Sequence, residues 1–345
     1  MRTSSTSVFS TTKRAFDFGI HVLKHSNAPM REALVKCGWL EKAGSTTQNA
    51  AGGFLVPDNL AGDIENAINI SGVFRQHARV RRIPEGVLMV PKRLTQAAAS
   101  FKPENQGIAE SNRIFGNYLL QTQTAGLLSK VSNELNEDAI ADLGAEFARE
   151  FTAAFADLED ACGFNGDGTS TYGGMRGVTT SLIDGTHTAS VVTAGAGHDT
   201  FEELDAADIS NLMSLLPERW WQTAKFYVSS YAAAKAFCRL GATVGGLIDT
   251  IDGRRPMMSF LGFPIVVTPK LPGSGTQSGK VMVLFGDLYG AATLGIRREM
   301  KIQVLDDVYQ DQGQIGILGR HRFSVAVHSL GDNSTAGPIV GLVGA

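Results

Sequence analysis

FADLEDACGFNGDGTSTYGGMRGV, residues 155–178, decides how this chain is read. An acidic helical segment runs into Asn165-Gly166-Asp167-Gly168-Thr169, followed by Gly173-Gly174 and Gly177. Asn-Gly and Asp-Gly tolerate positive φ, so the chain must stop there and turn sharply. Upstream, Leu135, Ile140, Leu143, Phe147, Phe151, Ala154, Leu158 and Cys162 recur, after the first gap, at steps of 3, 4, 4, 3, 4 and 4. That spacing predicts one helix over 134–162 with a single apolar stripe. Ser132 or Asn133 can cap its start, and Glu134, Glu137 and Asp138 suit the first turns. At 1.5 Å per residue it extends roughly 42 Å, long for an enzyme domain and suited to a structural spine.

Outward from this helix the pattern changes. Residues 1–50 carry seven basic and three acidic side chains and end in the small, polar GSTTQNAAGG, which reads as an arm that packs on something else. Gly52-Gly53-Phe54-Leu55-Val56-Pro57 opens the ordered body, and Asp58–Ile70 has helical spacing. Residues 73–128 read as strands: VFRQHARVRRI, GVLMVPKRL, then, beyond a polar excursion near Thr95–Gly116, NYLLQTQTAGLLSKV. Two long antiparallel strands with polar residues on both faces are unstable alone, so the ribbon should lie on a neighbouring subunit. Residues 201–300 read as α/β: a helix over Leu204–Leu216, the strand FYVSS, the helix YAAAKAFCRL, the glycine-rich LGATVGG and TIDGRRPMM, and the strand Leu261–Val267. A Gly/Ser loop leads to VMVLFGDLYGAATLGIRREMKIQV, and ILGRHRFSVAVHSLG is a further strand.

Composition bounds the function. A 43% hydrophobic and 19% charged chain of 345 residues has material for a sizeable core. The formal net charge of −3 argues against a globally basic nucleic-acid binder. No run approaches a membrane span, and the N-terminus lacks a signal-peptide core, which suggests cytoplasmic synthesis. Cys37, Cys162 and Cys238 are isolated and read as reduced core thiols. His21 and His25 are four apart, but Val22 stands where a zinc hydrolase needs Glu. His321 and His328, seven apart along a strand, point to opposite faces and make no joint site. No phosphate loop, dinucleotide fingerprint, calcium loop or Gly-x-Ser-x-Gly elbow occurs, so no catalytic, cofactor or metal residues are assigned.

Charge is uneven. Arg75–Arg113 holds eight basic residues against three acids, whereas Glu134–Asp160 holds nine acids against Arg149. Either these are two unrelated solvated faces or they are complementary surfaces that meet between subunits. The second reading selects Arg79, Arg81, Arg82, Lys92, Arg93 and Lys102 on one side and Glu146 and Glu150 on the other.

Four ordered segments resemble the major capsid proteins of tailed bacteriophages, the Hong Kong 97-type fold. They are the GGFLVP run before a short helix, the long ribbon, the Asn-Gly-Asp-Gly-Thr end of the spine helix, and Leu-Gly-Phe-Pro-Ile-Val-Val with its following Phe285-Gly286-Asp287 turn. The resemblance covers roughly 52–330. It implies an α+β chain with an N-terminal arm at 1–52 and an extended β-hairpin loop at 74–126. It further implies a peripheral domain from 53–73, 127–177 and 299–328, and an axial α/β domain from 178–298 and 329–345. The implied function is self-assembly as pentamers and hexamers into an icosahedral shell around double-stranded DNA, which the shell contacts non-specifically. The implied partners are other copies of the chain, a portal protein, a separate scaffolding protein and a decoration protein, in the virion, with no membrane and no cofactor. The arm is short and lacks sustained heptads, which suggests a mature form or, given Met1, a separate scaffold. Some relatives form a covalent cross-link between a loop lysine and a neighbour's asparagine, helped by a glutamate. Here Ile108, Gly313 and Arg320 occupy those positions, with Lys102 a possible substitute, so a non-covalent shell is expected. An encapsulin-like compartment is the alternative, and a metal-dependent hydrolase using His21 and His25 a remote one.

Overall fold

The computed structural model of the chain describes residues 72–93, 101, 114–132, 143–244, 247–252, 255–305 and 308–345. A seven-stranded sheet, a four-stranded sheet, a two-stranded ribbon and one long helix organise them. The larger sheet runs β5 (Val191–Thr193), β13 (Ile339–Val343), β10 (Val281–Gly286), β6 (Lys225–Val228), β9 (Phe263–Val267), β8 (Arg255–Phe260) and β7 (Leu247–Asp252). Its β13–β5 and β6–β9 pairs are parallel and the others antiparallel. Strands β10 and β13 are buried on both faces, so VMVLFG and IVGLV are unbroken apolar runs without alternation. Phe226, Phe237, Phe260 and Phe285 fill the core on one side. Helix α4 (Ala206–Leu215) contributes Ile209 and Leu212 to that core, and its N-terminus carries a reciprocal Asp205–Asp208 capping box. The helical run Ser230–Ala232, Ala233–Phe237 and Cys238–Val244 adds Ala232, Ala236 and Leu240, its middle segment being a π-turn.

The smaller sheet runs β1 (Arg79–Arg82), β11 (Ala292–Leu305), β12 (Gln314–Val327) and β4 (Gln123–Ser132), parallel at β1–β11 and antiparallel elsewhere. The long helix α2 (Leu143–Asn165) lies on one face of it through Phe151 and Phe155. Gly319 makes that approach possible, because a Cβ there would sit 2.7 Å from the Phe151 ring. The glycine cluster ends α2 as the sequence requires. Gly168, Gly173 and Gly174 have positive φ, and the chain folds back so that Gly177, just before the short helix α3 (Val178–Leu182), donates to the Gly166 carbonyl at 2.8 Å.

Several expectations are corrected. Val73–His77 is a short helix (α1) instead of a strand. Five residues are too few for periodicity to decide, and a side chain of α2 supplies the cap that makes it helical. The expected second long strand breaks at Thr122, whose N–H and hydroxyl both donate to the Gly86 carbonyl. Residues 115–121 (β3) thus pair with β2 (Val87–Arg93) in the ribbon, while β4 crosses to β12. The hairpin β7–β8 lies where glycine-rich turns were read. Within the stripe of α2, Ala154 is exposed, and Ala148, Thr152, Phe155, Ala156, Glu159 and Asp160 are buried with Phe151 and Cys162. The start of the expected helix, 134–142, lies outside the described residues, as do 1–71.

Gly163 of α2 faces the Phe74 ring of α1, and a Cβ built there falls 2.4 Å from it. Gly163→Ala should therefore destabilise the subunit. Overpacking costs about 1–3 kcal/mol, and the better helix propensity of alanine returns at most about 1 kcal/mol. Urea unfolding of the dissociated subunit measures the difference, and a midpoint at or above wild type would show that the two helices separate freely.

Candidate functional site

Two features of this fold bear on function: an ionic cluster buried where three elements converge, and a ribbon that leaves one face uncovered. The cluster is built from α2. Glu159 and Asp160 are adjacent, and a helix places neighbouring side chains about 100° apart, so the two carboxylates serve different partners. Asp160 caps α1 in trans. Its Oδ2 accepts the Val73 N–H at 3.0 Å and its Oδ1 accepts the Phe74 N–H at 2.8 Å. Gly72, the N-cap residue, has no side chain for this task. Glu159 is fully buried and accepts from Arg75 Nε at 2.9 Å and from His321 Nε2 at 2.7 Å. The short helix α1, the long helix α2 and the strand β12 are thereby tied at one point.

The electrostatics follow the surroundings. Burial alone raises the Glu159 pKa, but hydrogen bonds from His321 and Arg75, with their charges, reverse this and hold it below the ordinary carboxylate range. Asp160 is pushed up to about 6 by burial and by the charge of Glu159, against the two backbone hydrogen bonds. Cys162, one turn on, is pushed up to about 11, chiefly by burial and then by Glu159, which suits an inert thiol. Cys162 and Cys238 are both free; Cys37 lies outside the described residues. His77 falls to about 4 through burial and the neighbouring Lys225, whose Nζ is 3.2 Å from its Nδ1. His328 falls to about 4 through burial and then Lys92, Arg79 and Arg81.

The ribbon turns Leu88, Val90, Tyr118 and Leu120 inward, where they meet Ile83 and Ala326. Tyr118 stacks on His328 at 4.3 Å and its hydroxyl lies 3.1 Å from Thr293 Oγ1. The register Met89↔Leu119 and Arg93↔Phe115 places Val87, Met89, Leu119 and Phe115 together on the opposite face. There Met89 is 69% and Phe115 62% exposed. Gln121, Asn117 and Arg93 share that face, so the ribbon is apolar inward and mixed outward, where polar faces were expected.

The sequence-selected charges do not form one site. Arg79 stacks over Tyr289 at 4.6 Å, Arg81 and Arg82 are exposed on β1, and Lys92 donates to the His328 carbonyl at 2.7 Å. Arg93 ends β2 opposite Phe115, and Glu150 is exposed on α2. Glu146 stands in the first turn of α2, and Lys102 lies outside the described residues. Three members of the two charged runs, Arg75, Glu159 and Asp160, are buried within the subunit and cannot belong to an outer face. Gly313 closes a turn at φ 62°, and Arg320 is exposed on β12. Ile108, His21 and His25 lie outside the described residues. Sequence reasoning missed the buried cluster although signals existed. Glu159 falls four residues after Phe155 in the apolar stripe, and His321 shares the inward parity of Phe323 and Val325.

Among the described residues, His198, Asp205 and Asp208 form the one group with metal-ligand proximity. Asp208 already accepts from Gly195 N–H at 2.9 Å and His198 Nδ1 at 2.6 Å, and it shares the capping box of α4. That role accounts for its carboxylates without a metal. A cleft of about 330 Å³ beside the ribbon is lined by Lys92, Arg176, Asp184, His187 and His328, with Asp184 and His187 paired at 3.0 Å. No described helix is long and apolar enough to cross a membrane.

Comparison with known proteins places these features. The sequence profile of the Phage capsid family matches residues 52–329. A capsid chain of an empty GTA particle superposes with a TM-score of 0.60 at 17% identity, covering 90% of this chain and 98% of that one. A chain from Mycobacterium phage Adephagia gives 0.55 at 15% identity, covering 91% and 97%. The holo-SrpI encapsulin complex from Synechococcus elongatus PCC 7942 gives 0.52 at 13% identity, covering 77% and 84%. At these identities the likenesses show the fold. A search of curated proteins found no match.

Two substitutions test the cluster. Glu159→Gln leaves Arg75 charged in a buried place and should cost about 3–5 kcal/mol in urea unfolding at neutral pH. Asp160→Asn acts differently. Because the folded pKa of Asp160 lies above its ordinary 3.8, its contribution is full below 3.8 and lost as pH rises through about 6. His77 and His328 oppose it, their contribution being full above 6.5 and lost as pH falls towards about 4. The Asp160→Asn subunit should therefore lose stability more steeply than wild type on acidification from pH 6 to 4. Parallel curves would show that Asp160 does not titrate in this range.

Proposed function

The chain belongs to the phage capsid family, and from that premise we propose that its copies assemble as pentamers and hexamers into the icosahedral shell of a tailed phage, enclosing double-stranded DNA. It is a structural protein of the virion capsid, and its work is the burial of surface between copies. The observation that carries the proposal is the uncovered ribbon face. Val87, Met89 and Leu119 form an exposed apolar patch, with Phe115 beyond the Pro91–Asn117 row, on a two-stranded element that is unstable unless something packs on it. A neighbouring copy supplies that cover.

The division of the chain proposed from sequence is retained in outline. The arm is 1–52 and the extended loop 74–126. The peripheral domain is 53–73, 127–177 and 299–328, and the axial domain is 178–298 and 329–345. The tie of α1 to α2 and β12 supports one revision: the independent part of the loop is the ribbon 87–121, with α1 and β1 anchored in the body. Exposed Arg81, Arg82 and Glu150 remain candidates for contact between copies, each pair contributing at most about 1 kcal/mol. A portal protein, a separate scaffolding protein and a decoration protein complete the proposed assembly. The likeness to an encapsulin is one of fold and does not displace this reading.

Two outcomes are expected. Met89→Ser combined with Leu119→Ser should leave the subunit folded by circular dichroism and raise the concentration needed for particle formation by tenfold or more, since each buried large apolar side chain is worth about 1.5–3 kcal/mol. Particle formation at wild-type concentration would remove the ribbon face from the assembly contact. Particles boiled in detergent should run as one band near 36.7 kDa, as Gly313 and Arg320 lack the chemistry for a cross-link. A ladder of covalent rings would show that another lysine has found a partner.

A further inference from the structure

Basic side chains from three separate segments converge on the cleft of about 330 Å³ beside the ribbon. Lys92 comes from β2, Arg176 from the glycine-rich turn after α2, and His187 from the loop after α3. The turn seats Arg176. Asp167 and Arg176 form an antiparallel bridge, and Gly168 lies beneath the arginine, where a Cβ would stand 3.4 Å from its Cγ. Arg176 is exposed and has no ion pair with a described carboxylate. Lys92 is half-buried and uses one of its three donors on the His328 carbonyl. His187 Nδ1 lies 3.0 Å from Asp184 Oδ1 and 3.1 Å from the Ser181 carbonyl, both acceptors, so it carries the proton and Nε2 is the open ring nitrogen. The carboxylate of the lining, Asp184, already accepts from the Thr186 N–H at 2.9 Å and hydroxyl at 2.7 Å. His328 has both ring nitrogens engaged, by Ser329 and Thr293, and its ring stacks on Tyr118. Lys92 and Arg176 therefore face the cleft with charge that its other groups leave unmatched.

We propose that this cleft binds a small phosphate monoester, held by Arg176, Lys92 and His187, and that the bound ligand braces the ribbon against the body. The proposal goes beyond the shell reading and does not depend on it. Phosphate fits better than carboxylate. Three donor groups on three segments can each take a different oxygen of a tetrahedral group, whereas a carboxylate offers only two oxygens. A phosphate monoester carries a charge of about −1.5 to −2 at neutral pH, which matches two permanent cations. The cleft stands at the lower end of the roughly 300–1,000 Å³ of small-molecule sites, so it holds the organic part of a small ester beside the phosphate. Duplex DNA is the competing anion, but each of its phosphates is a diester with one charge, a poorer match to the pair. Lys92 belongs to the ribbon, and Arg176 and His187 belong to the body, so one phosphate joins the two.

Deoxyadenosine 5′-monophosphate and inorganic phosphate are titrated into the dissociated wild-type subunit at constant ionic strength and followed by calorimetry. The nucleotide should fill one site with a Kd below about 1 mM and bind more tightly than inorganic phosphate. Equal or tighter binding of inorganic phosphate overturns the monoester assignment. Arg176→Ala and Lys92→Met should each weaken binding at least tenfold, and Arg176→Lys should recover part of the first loss. Arg176 is exposed, so its replacement should leave the fold intact by circular dichroism. Saturating nucleotide should slow amide exchange in 87–93 and 115–121 severalfold in wild type and leave it unchanged in Arg176→Ala. Absence of saturable binding overturns the proposal, and so does full affinity in both variants. Binding without slower exchange overturns the bracing role. Tighter binding of a short DNA duplex, lost in the same variants, would overturn the small ligand and assign the cleft to nucleic acid.

Discussion

The carboxylates of Glu159 and Asp160 hold together the part of the molecule on which the rest depends. One binds Arg75 and His321, the other caps α1, and the two are consecutive on a single helix. A buried ion pair adds little net stability, because removing its charges from water offsets most of the attraction. Its geometry is nevertheless demanding. If α1 shifts by an ångström, a buried arginine and two backbone N–H groups lose partners at once. The cluster therefore fixes position more than it adds free energy, and what it positions is the root of the ribbon.

From that root outward the restraints thin. The sheet β1-β11-β12-β4 is clamped to α2 by Phe151 and Phe155, closely because Gly319 has no side chain. The ribbon is held by a smaller cluster around Ile83, Val90 and Leu120, with the Tyr118–His328 stack beside it. Beyond these contacts its outer face presents Val87, Met89, Leu119 and Phe115, exposed and packed against no other described element. A subunit built with a rigid body and an uncovered apolar extension gains most when it meets another copy.

The seven-stranded sheet is built differently. Its central strands are buried on both faces, and its helices carry their own caps, as the Asp205–Asp208 box shows. Its Val281, Leu284 and Ile339 share one core with Leu294, Phe323 and Val325 of the smaller sheet.

Sequence alone determined the termination of the long helix, since Asn165-Gly166-Asp167-Gly168 disfavours helix and tolerates the positive φ that Gly168 adopts, and it determined the α+β order of elements. It also determined the family, because the motifs stand in their required order. Burial of charge was decided by tertiary structure. Glu159, Asp160 and Arg75 look like surface charges in any local count, and only the convergence of α1, α2 and β12 gives each a partner that makes burial tolerable. The same holds for α1, helical because a carboxylate from 86 residues away along the chain accepts its N–H group. The break at Thr122 depends likewise on the Gly86 carbonyl, brought near by the folded chain. Local pattern reports which side a residue prefers, but partners distant in sequence decide whether a charge or a free backbone group can be taken out of water.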